Sequence, residues 1–387
     1  MDFRDTSDEA AFRAEVCDWL DATLTEMPRP VRGPQEDREH NSRWWQEQLA
    51  AGGWAALAWP EEYGGRGLTV VHQAIFNEEA ARRDAPTPIN LLGMILAGPT
   101  ILVHGSDEQK QRLLPRIVSG EDVWCQGFSE PGAGSDLAGL RSRATQVEGG
   151  WSVSGQKVWT SFAHSADRCM LLARTSTPGD NGDSKHAGIT YFMAPMGDIE
   201  VRSLIMSNGD ADFNEMFFTD AHVDDDDVLG GVGNGWTVAL TTLAFERVSL
   251  AFVLSATARR VFNRLVDRAI ACGVSDDPVI LDRLGGFSAE AEGVRLSTVR
   301  LMSQLSAGRA PGAEGSGTKL AWAHLLQGMT RLAVELGGAD GTTLDDHDDR
   351  SWANGYLRAR GNSVEGGTDE VQRSIIAERV LGLPRSR

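Results

Sequence analysis

Gly127-Phe-Ser-Glu-Pro-Gly-Ala-Gly-Ser-Asp136, read with Gly155-Gln-Lys-Val-Trp-Thr-Ser161, decides how this chain is to be understood. The first stretch packs three glycines, a proline, two serines and two carboxylates between runs that alternate like strands. Glycine lets backbone approach a ligand closely, and serine offers short hydroxyls that hydrogen-bond it. Trp159 sets a flat apolar wall beside the polar handles of Thr160 and Ser161. Together these residue types suit a planar, polar-edged cofactor. No Gly-Lys-Ser/Thr follows, so the stretch is not a phosphate loop, and no helix-opening Gly-x-Gly-x-x-Gly makes it a dinucleotide fingerprint. Glycines alone would read as a turn.

The full string says more. Ser129-Glu130-Pro131-Gly-Ala-Gly-Ser-Asp136 with Trp159-Thr160-Ser161 resembles the flavin-binding signature of the acyl-CoA dehydrogenase family. The resemblance extends over nearly the whole chain.

Composition sets the outer limits. The 387 residues are enough for two or three domains with a substantial core, and 41% are hydrophobic, as in an ordinary globular protein. A net charge of −18 argues against nucleic acid and anionic membranes as main partners. No apolar run approaches the ~20 residues that span a bilayer. The N-terminus, Met1-Asp-Phe-Arg-Asp-Thr-Ser-Asp-Glu9, is acidic and lacks the apolar core of a secretion signal. Cys17, Cys125, Cys169 and Cys272 form no Cys-x-x-Cys pair, which fits reduced thiols in a cytoplasmic protein without a zinc site. Cys125 lies near the signature and reads as a buried structural thiol.

The pattern along the chain predicts three domains: helical over 1–118, β over 119–228 and helical over 229–387. In the first, Phe12, Val16 and Leu20 recur at helical spacing, and Trp44, Leu49 and Trp54 continue the apolar theme. Trp59 to Gly65 is a turn-rich break. Ser106-Asp-Glu-Gln109 is a capping box for a helix carrying Leu113, Leu114 and Ile117. In the second, Trp151 to Gly155 alternates after a Gly149-Gly150 hairpin turn. Cys169–Ala173, Gly188–Met193 and Met216–Asp220 are further strands. Asp180 to Lys185 reads as a loop. Asp224 to Asp227 reads as a solvated boundary; it lacks the glycine and distal glutamate of a calcium loop.

In the third, Leu240, Leu243, Ala244, Val248, Ala251 and Phe252 mark a long buried helix, with more helix after Pro278, around Leu301 and from Thr318 to Leu336. Thr368 is the N-cap of a last helix, with Asp369 and Glu370 in its first turn and Gly382 and Pro384 at its end. Helix, β, helix is the α+β order that the resemblance implies: an N-terminal helical domain, a middle β domain and a C-terminal four-helix bundle.

The resemblance also implies a reaction. A base takes the α proton of an acyl-CoA thioester, the β hydride goes to N5 of FAD, and hydrogen bonds stabilise the enolate. A carboxylate held in an apolar site suits the base, because burial raises its pKa toward neutrality. Glu246 lies in Leu243-Ala-Phe-Glu-Arg-Val-Ser-Leu250, with Leu243, Leu250 and Val253 on its own helical face. For a lone glutamate, an ion pair or a solvent contact is the ordinary explanation. Glu246-Arg247 matches the Glu-Arg of members whose base is on this helix, such as the isovaleryl enzymes, and Arg247 would then help order the site. Glu365, in Asn362-Ser-Val-Glu-Gly-Gly-Thr368, resembles the base of the medium-chain enzymes but stands one residue early, with Gly366 at the matching position. Glu246 is therefore the preferred base and Glu365 the alternative.

The family pattern further carries Ser129, Gly134, Trp159, Ser161, Thr368 and Glu370 to the cofactor, with a pyrophosphate at the start of the last helix, and Ser135 to the CoA moiety. Other features depart from it. Homotetrameric members carry Arg-x-x-Phe-Gly and a Gln before Gly-Gly, which reach a neighbouring subunit's FAD. Here Arg268 has no Phe-Gly after it, and Val334 stands where the glutamine would be, in Val334-Glu-Leu-Gly-Gly338. This half-equipped pattern resembles the bacterial steroid and cholesterol side-chain enzymes, some of which are α2β2 assemblies. It implies a second dehydrogenase-like subunit, with a homo-oligomer as the alternative, and an electron-transfer flavoprotein as acceptor. Two other readings remain open: a flavin oxidase or monooxygenase on the same fold, and a non-catalytic subunit of a heteromeric dehydrogenase.

Overall fold

The computed structural model describes residues 5–29, 35–176, 184–307, 309, 312–344 and 351–384. Its helices are α1 (Ser7–Leu24), α2 (Gln35–Ala51), α3 (Val70–Arg82), α4 (Gly98–His104), α5 (Asp107–Ser119), α6 (Gly235–Ala271), α7 (Pro278–Ser306), α8 (Gly315–Gly337), α9 (Trp352–Arg358) and α10 (Asp369–Ile375). Between α5 and α6 run β1 (Trp124–Gly127), β2 (Arg143–Val147), β3 (Gly150–Ser161), β4 (Arg168–Arg174), β5 (Ile189–Pro195), β6 (Ile199–Leu204), β7 (Phe213–Asp224) and β8 (Val228–Leu229). This is an α+β chain, and it divides into two compact units that are each discontinuous in sequence. One comprises Met1–Trp44, Gly67–Pro86 and Arg247–Arg387; the other comprises Trp45–Arg66 and Thr87–Glu246. The division falls inside α6, a helix of 37 residues.

The second unit is built on one sheet in the order β6-β7-β3-β2-β4-β5-β8, with β1 added parallel to β4. β2 and β3 form a tight hairpin in which Val147 pairs with Gly150 and Gly149 takes a positive φ of 78°. The turn is therefore Glu148-Gly149, and Gly150 already belongs to the strand. Every residue from Cys169 to Ala173 on β4 is fully buried, so both faces of this strand are covered. Cys125 and Cys169 are free thiols facing each other in the β1/β4 register, inside the core formed by Trp151, Val153, Phe192 and Met216.

Helix α5 starts at the expected capping box: Ser106 Oγ accepts the Gln109 N–H, and Gln109 Oε1 accepts the Ser106 N–H (3.2 and 3.0 Å). The side-chain amide of Gln109 also reaches the carbonyls of Asp226 and Val228, both at 2.9 Å.

The acidic run departs from its expected character. Asp224, Asp225 and Asp226 are exposed, but Asp227 is only 2% exposed and bridges Arg112 (2.7 Å) and Arg168 (3.2 Å). Arg168 in turn meets Asp122, which Arg116 also holds. The run thus ends in a buried anchor joining α5 to the sheet.

The first unit is helical. Its core contains Leu254, Leu265, Val294, Met329 and Leu332. α1 packs on α3 and α3 on α7, while α8 contacts α7, α9 and α10. Glu79 of α3 is buried, and Arg13, Arg82 and Arg83 all bond its carboxylate. Burial pushes the Glu79 carboxyl up, but the three guanidinium groups outweigh burial and hold it below the ordinary value.

The expected buried helix is less uniform than its apolar pattern. On α6, Val238, Ala239, Thr242, Ala251 and Leu254 are buried, whereas Leu240 is 45% exposed. Leu243 and Ala244 are half-buried. The side chains of Val248, Leu250 and Phe252 lie outside the described residues, as do residues 180–183 of the expected 180–185 loop.

Candidate active site

The signature occupies the connection from β1 toward β2, and its shape is fixed by one buried carboxylate. Glu130 and Ala133 exchange backbone hydrogen bonds (3.1 and 3.0 Å) across Pro131-Gly132. The Glu130 carboxylate accepts the N–H of Arg141 (2.6 Å) and of Ser142 (2.9 Å). It also accepts Lys157 Nζ at 2.8 Å, and the same ammonium donates to the Phe128 carbonyl at 3.1 Å. Lys157 is 0% exposed. Burial pushes the Glu130 carboxyl up, yet Lys157 and the donors around Ser142 outweigh it and hold it below its ordinary value. Burial lowers the Lys157 ammonium despite its partner. The two halves of the opening motif are therefore one unit, joined by Glu130–Lys157 and by the Val158 N–H donating to the Ser129 carbonyl at 3.0 Å.

Two residues beyond Lys157 the register of β3 against β7 shifts. Trp159 sits in this bulge at φ 61°, a left-handed conformation costly for a bulky residue. The bulge turns its ring outward: it is 63% exposed, edge-on to Phe213 at 6.3 Å. Ser161 follows, half-buried and paired with Phe213. Thr160 is buried between them, and its carbonyl accepts Asn214 Nδ2 at 3.0 Å.

Gly132, Gly134 and Ser135 are exposed. A Cβ at Gly132 or Gly134 would meet nothing within 4 Å, whereas one at Gly127 would press on Cys169 Sγ (2.7 Å) and Met216 Cε (2.9 Å). Gly127 is demanded by the core. The other two leave open backbone facing outward, the form a ligand cradle takes. Asp136 is paired with Lys185 at 2.7 Å. The structure thus brings Ser129, Gly134, Ser135, Trp159 and Ser161 onto one scaffold. The exposed Trp159 indole and the open backbone at Gly132 and Gly134 have the chemistry a flat ring cofactor takes.

Glu246 and Arg247 are consecutive on α6 and both half-buried. The backbone and Cβ of Arg247 lie against Gly315, the first residue of α8, where an added Cβ would come within 3.4 Å of the Arg247 carbonyl.

The remaining predicted residues cluster before α10. Glu365 is not an open carboxylate: Arg358 holds both its oxygens, at 3.2 and 2.8 Å. Gly366 and Gly367 follow with φ 62° and 91°, a turn that L side chains resist. The Gly366 carbonyl accepts Gln372 Nε2 at 2.6 Å, and the Gly367 carbonyl accepts Lys319 Nζ at 2.8 Å. Thr368 caps α10 as expected, its hydroxyl accepting the Val371 N–H at 3.3 Å. Glu370 is exposed, 4.0 Å from Arg373. A π-helical turn, Ile376–Val380, continues α10 toward Gly382.

Arg268 lies against the end of α8. A Cβ on Gly337 would collide with its guanidinium, and Nε is buried without a hydrogen-bond partner among the described residues.

Sequence reading passed over Lys157, Arg358, Lys319 and His324. Lys157 carried one usable signal: a lysine two positions before Trp159 in an otherwise apolar alternation. The others carried none, because their partners lie between seven and 48 residues away.

Among the described residues, no group of three or more His, Cys, Asp or Glu could hold a metal ion, and no helix is long and apolar enough to cross a membrane. The fold is an α+β framework of helices and one sheet. Family models for the acyl-CoA dehydrogenase N-terminal, middle and C-terminal domains match residues 6–121, 125–221 and 233–381. The chain belongs to the acyl-CoA dehydrogenase family and is an enzyme of that class; members are in general FAD-dependent.

It is 40% identical over 385 residues to the acyl-CoA dehydrogenase IpdE1 of Mycobacterium tuberculosis, covering 98% of each chain. Among solved structures it resembles the Tcur3481-Tcur3483 steroid ACAD, with TM-score 0.85, 27% identity and full coverage of both chains. It also resembles the ChsE4-ChsE5 complex from Mycobacterium tuberculosis, with TM-score 0.82, 31% identity and full coverage of both.

Proposed function

We propose that this chain catalyses α,β-dehydrogenation of a steroid-derived or branched acyl-CoA thioester, as one subunit of a two-chain dehydrogenase. One observation carries the assignment of the base: Arg358 engages both carboxylate oxygens of Glu365. A carboxylate so held is turned toward its partner, which suits a structural role. Glu246, half-buried on α6, is the remaining candidate that the family pattern supports.

Glu246 takes the α proton of the thioester, and the carbonyl oxygen gains charge as the proton leaves. Arg247, next to it on α6, orders the site. Ser129, Gly134, Trp159 and Ser161 hold the ring of FAD, with the outward-turned indole as its flat neighbour. Thr368, the N-cap of α10, and Glu370, in its first turn, are assigned to FAD by the family pattern, and Ser135 to CoA. FAD, when bound, supplies the two-electron acceptor for the hydride lost from Cβ. An electron-transfer flavoprotein is the proposed next acceptor.

The proposed partner follows from Arg268 and Val334. Arg268 has no Phe-Gly after it and Val334 offers no side-chain amide, so the set that reaches a neighbour's cofactor in the family pattern is incomplete. The names of the two solved relatives support the heteromer, since one is titled a complex of two proteins and the other carries two protein names.

The test is purification alone and with a candidate second subunit, followed by assay on a panel of acyl-CoA thioesters with a dye acceptor. The proposal expects full FAD occupancy and turnover only in the two-chain preparation, greatest on bulky or branched acyl groups. Stoichiometric FAD and full turnover in the lone chain would contradict the heteromer. Productive turnover with oxygen and none with the dye would favour an oxidase.

A further inference from the structure

Glu246 is the last residue of α6 within the sheet unit. The part of the helix that leads to it is joined to that unit by hydroxyl groups, not by apolar contact alone. Thr242, one turn before Glu246 and on the same helical face, is fully buried. Its Oγ1 lies 3.0 Å from the Thr100 hydroxyl on α4, 3.3 Å from the Tyr191 hydroxyl on β5 and 3.2 Å from the Val238 carbonyl of its own helix. Thr100 is fully buried too, and its hydroxyl donates to the Leu96 carbonyl at 2.7 Å. The neighbouring Thr241 meets His104 Nε2 of α4 at 2.8 Å, so two consecutive residues of α6 are fastened to α4.

Tyr191 carries the connection onward to the cofactor signature. It is buried, and burial pushes its phenol well above the ordinary value, so it remains a neutral hydroxyl. Its ring stands edge-on to Phe128, with centroids 5.9 Å apart and planes at 85°. Phe128 is buried directly before Ser129, and its carbonyl accepts Lys157 Nζ. A line of contacts therefore runs from Ser129 through Phe128, Tyr191 and Thr242 to the turn of α6 that carries Glu246.

Apolar contact has no preferred direction, whereas a hydrogen bond constrains both distance and angle. The Thr242 contacts therefore fix the rotation of α6 about its own axis. That rotation matters for a side chain one turn further on. Turning a helix by about 10° moves an atom near its outer radius by about 1 Å. A misplacement of about 1 Å is enough to cost up to about a hundredfold in rate.

We propose that Thr242 and Tyr191 are positioning residues for the α-proton transfer: their contact sets the rotation of α6 and so the approach of Glu246 to a thioester lying on the Ser129 segment. This rests on the functional reading above, in which Glu246 is the base.

The test uses the assembled, flavin-loaded enzyme, mixed anaerobically with butyryl-CoA, isovaleryl-CoA or the CoA thioester of a steroid carboxylic acid, whichever the wild type oxidises fastest. The concentration dependence of flavin bleaching separates the limiting rate from thioester affinity. FAD content and thermal unfolding are read on the same preparations. Thr242→Val should lower the limiting rate about tenfold, with FAD content and thioester affinity unchanged. Thr242→Ser, which keeps the hydroxyl, should recover most of the rate. Tyr191→Phe, which keeps the ring against Phe128, should lower it about threefold.

An unchanged limiting rate in Thr242→Val overturns the proposal. So does a loss that serine does not rescue, or one accompanied by loss of FAD. Should Thr242→Val fail to fold, Tyr191→Phe decides alone, and a wild-type rate there overturns the proposal. Glu246→Gln, measured alongside, separates the positioning role from the reading it rests on. If it too leaves the rate unchanged, the assignment of the base falls and the proposal with it. If Glu246→Gln slows bleaching and the Thr242 and Tyr191 variants do not, only the positioning role is lost. A wild type that reduces its flavin with none of the three thioesters contradicts both.

Discussion

Glu130 belongs to the cofactor signature and Glu365 to a motif that suggests a catalytic base, and both turn out to be paired with cations, in very different surroundings. Glu130 is buried in the sheet unit, where a fully buried lysine and two backbone N–H groups hold it. Glu365 is in the helical unit with about a third of its side chain exposed, as is that of its partner Arg358. Equal distances, 2.8 Å in each ion pair, therefore stand for unequal energies. Removing one member of a buried pair strands a charge away from water, while an exposed pair exchanges its partner for solvent. A motif carboxylate can be scaffold rather than chemistry, and burial decides how much the scaffold depends on it.

The largest effect should come from Lys157→Met, which leaves Glu130 buried without its cation. A loss of about 3–5 kcal/mol is expected in denaturant unfolding. The double variant Glu130→Gln with Lys157→Met should recover part of that loss; equal losses in single and double variants would deny the coupling. Asp227→Asn should cost about 1–3 kcal/mol, since Arg112 and Arg168 lose the charge between them. Its measurement by the same unfolding curves tests whether the end of the acidic run is an anchor.

Acid unfolding should show the same contrast. Glu130, Glu79 and Asp122 all have folded pKa values below their ordinary values. Their stabilisation is complete above the unfolded values of 4.5 and 3.8 and is lost as pH falls through the lower folded values. Stability should therefore fall steeply below about pH 4, and the fall attributable to Glu130 should vanish in Glu130→Gln.

Trp159→Gly separates function from fold. Glycine relieves a left-handed residue, so thermal stability should hold or rise slightly while FAD affinity drops. A large loss of stability would make Trp159 a core residue instead. Arg358→Ala should be the mildest, under about 1 kcal/mol.

The sequence was a good guide where local chemistry decides the outcome. The capping box at Ser106, the cap at Thr368, the hairpin at Gly149 and the strand containing Cys169 follow from residues a few positions apart. It was a poor guide where distant residues meet. Asp227 looked solvated because Arg112 and Arg168 are 115 and 59 residues away. Lys157 was passed over because its counter-charge, Glu130, is 27 positions earlier. Leu240 fitted the apolar period of α6, yet periodicity does not say how far a neighbouring element covers that face. Glu365 kept its place in the motif, and only Arg358 revealed its engagement.

The most direct test is Glu246→Gln in the assembled, flavin-loaded enzyme, mixed anaerobically with a thioester that the wild type oxidises. Bleaching of the flavin absorbance reports hydride loss from the substrate. With FAD still bound, the bleaching rate should fall by about 10²–10⁴, the contribution of a positioned general base. An unchanged rate would contradict the assignment and return the base to Glu365 or to the partner chain.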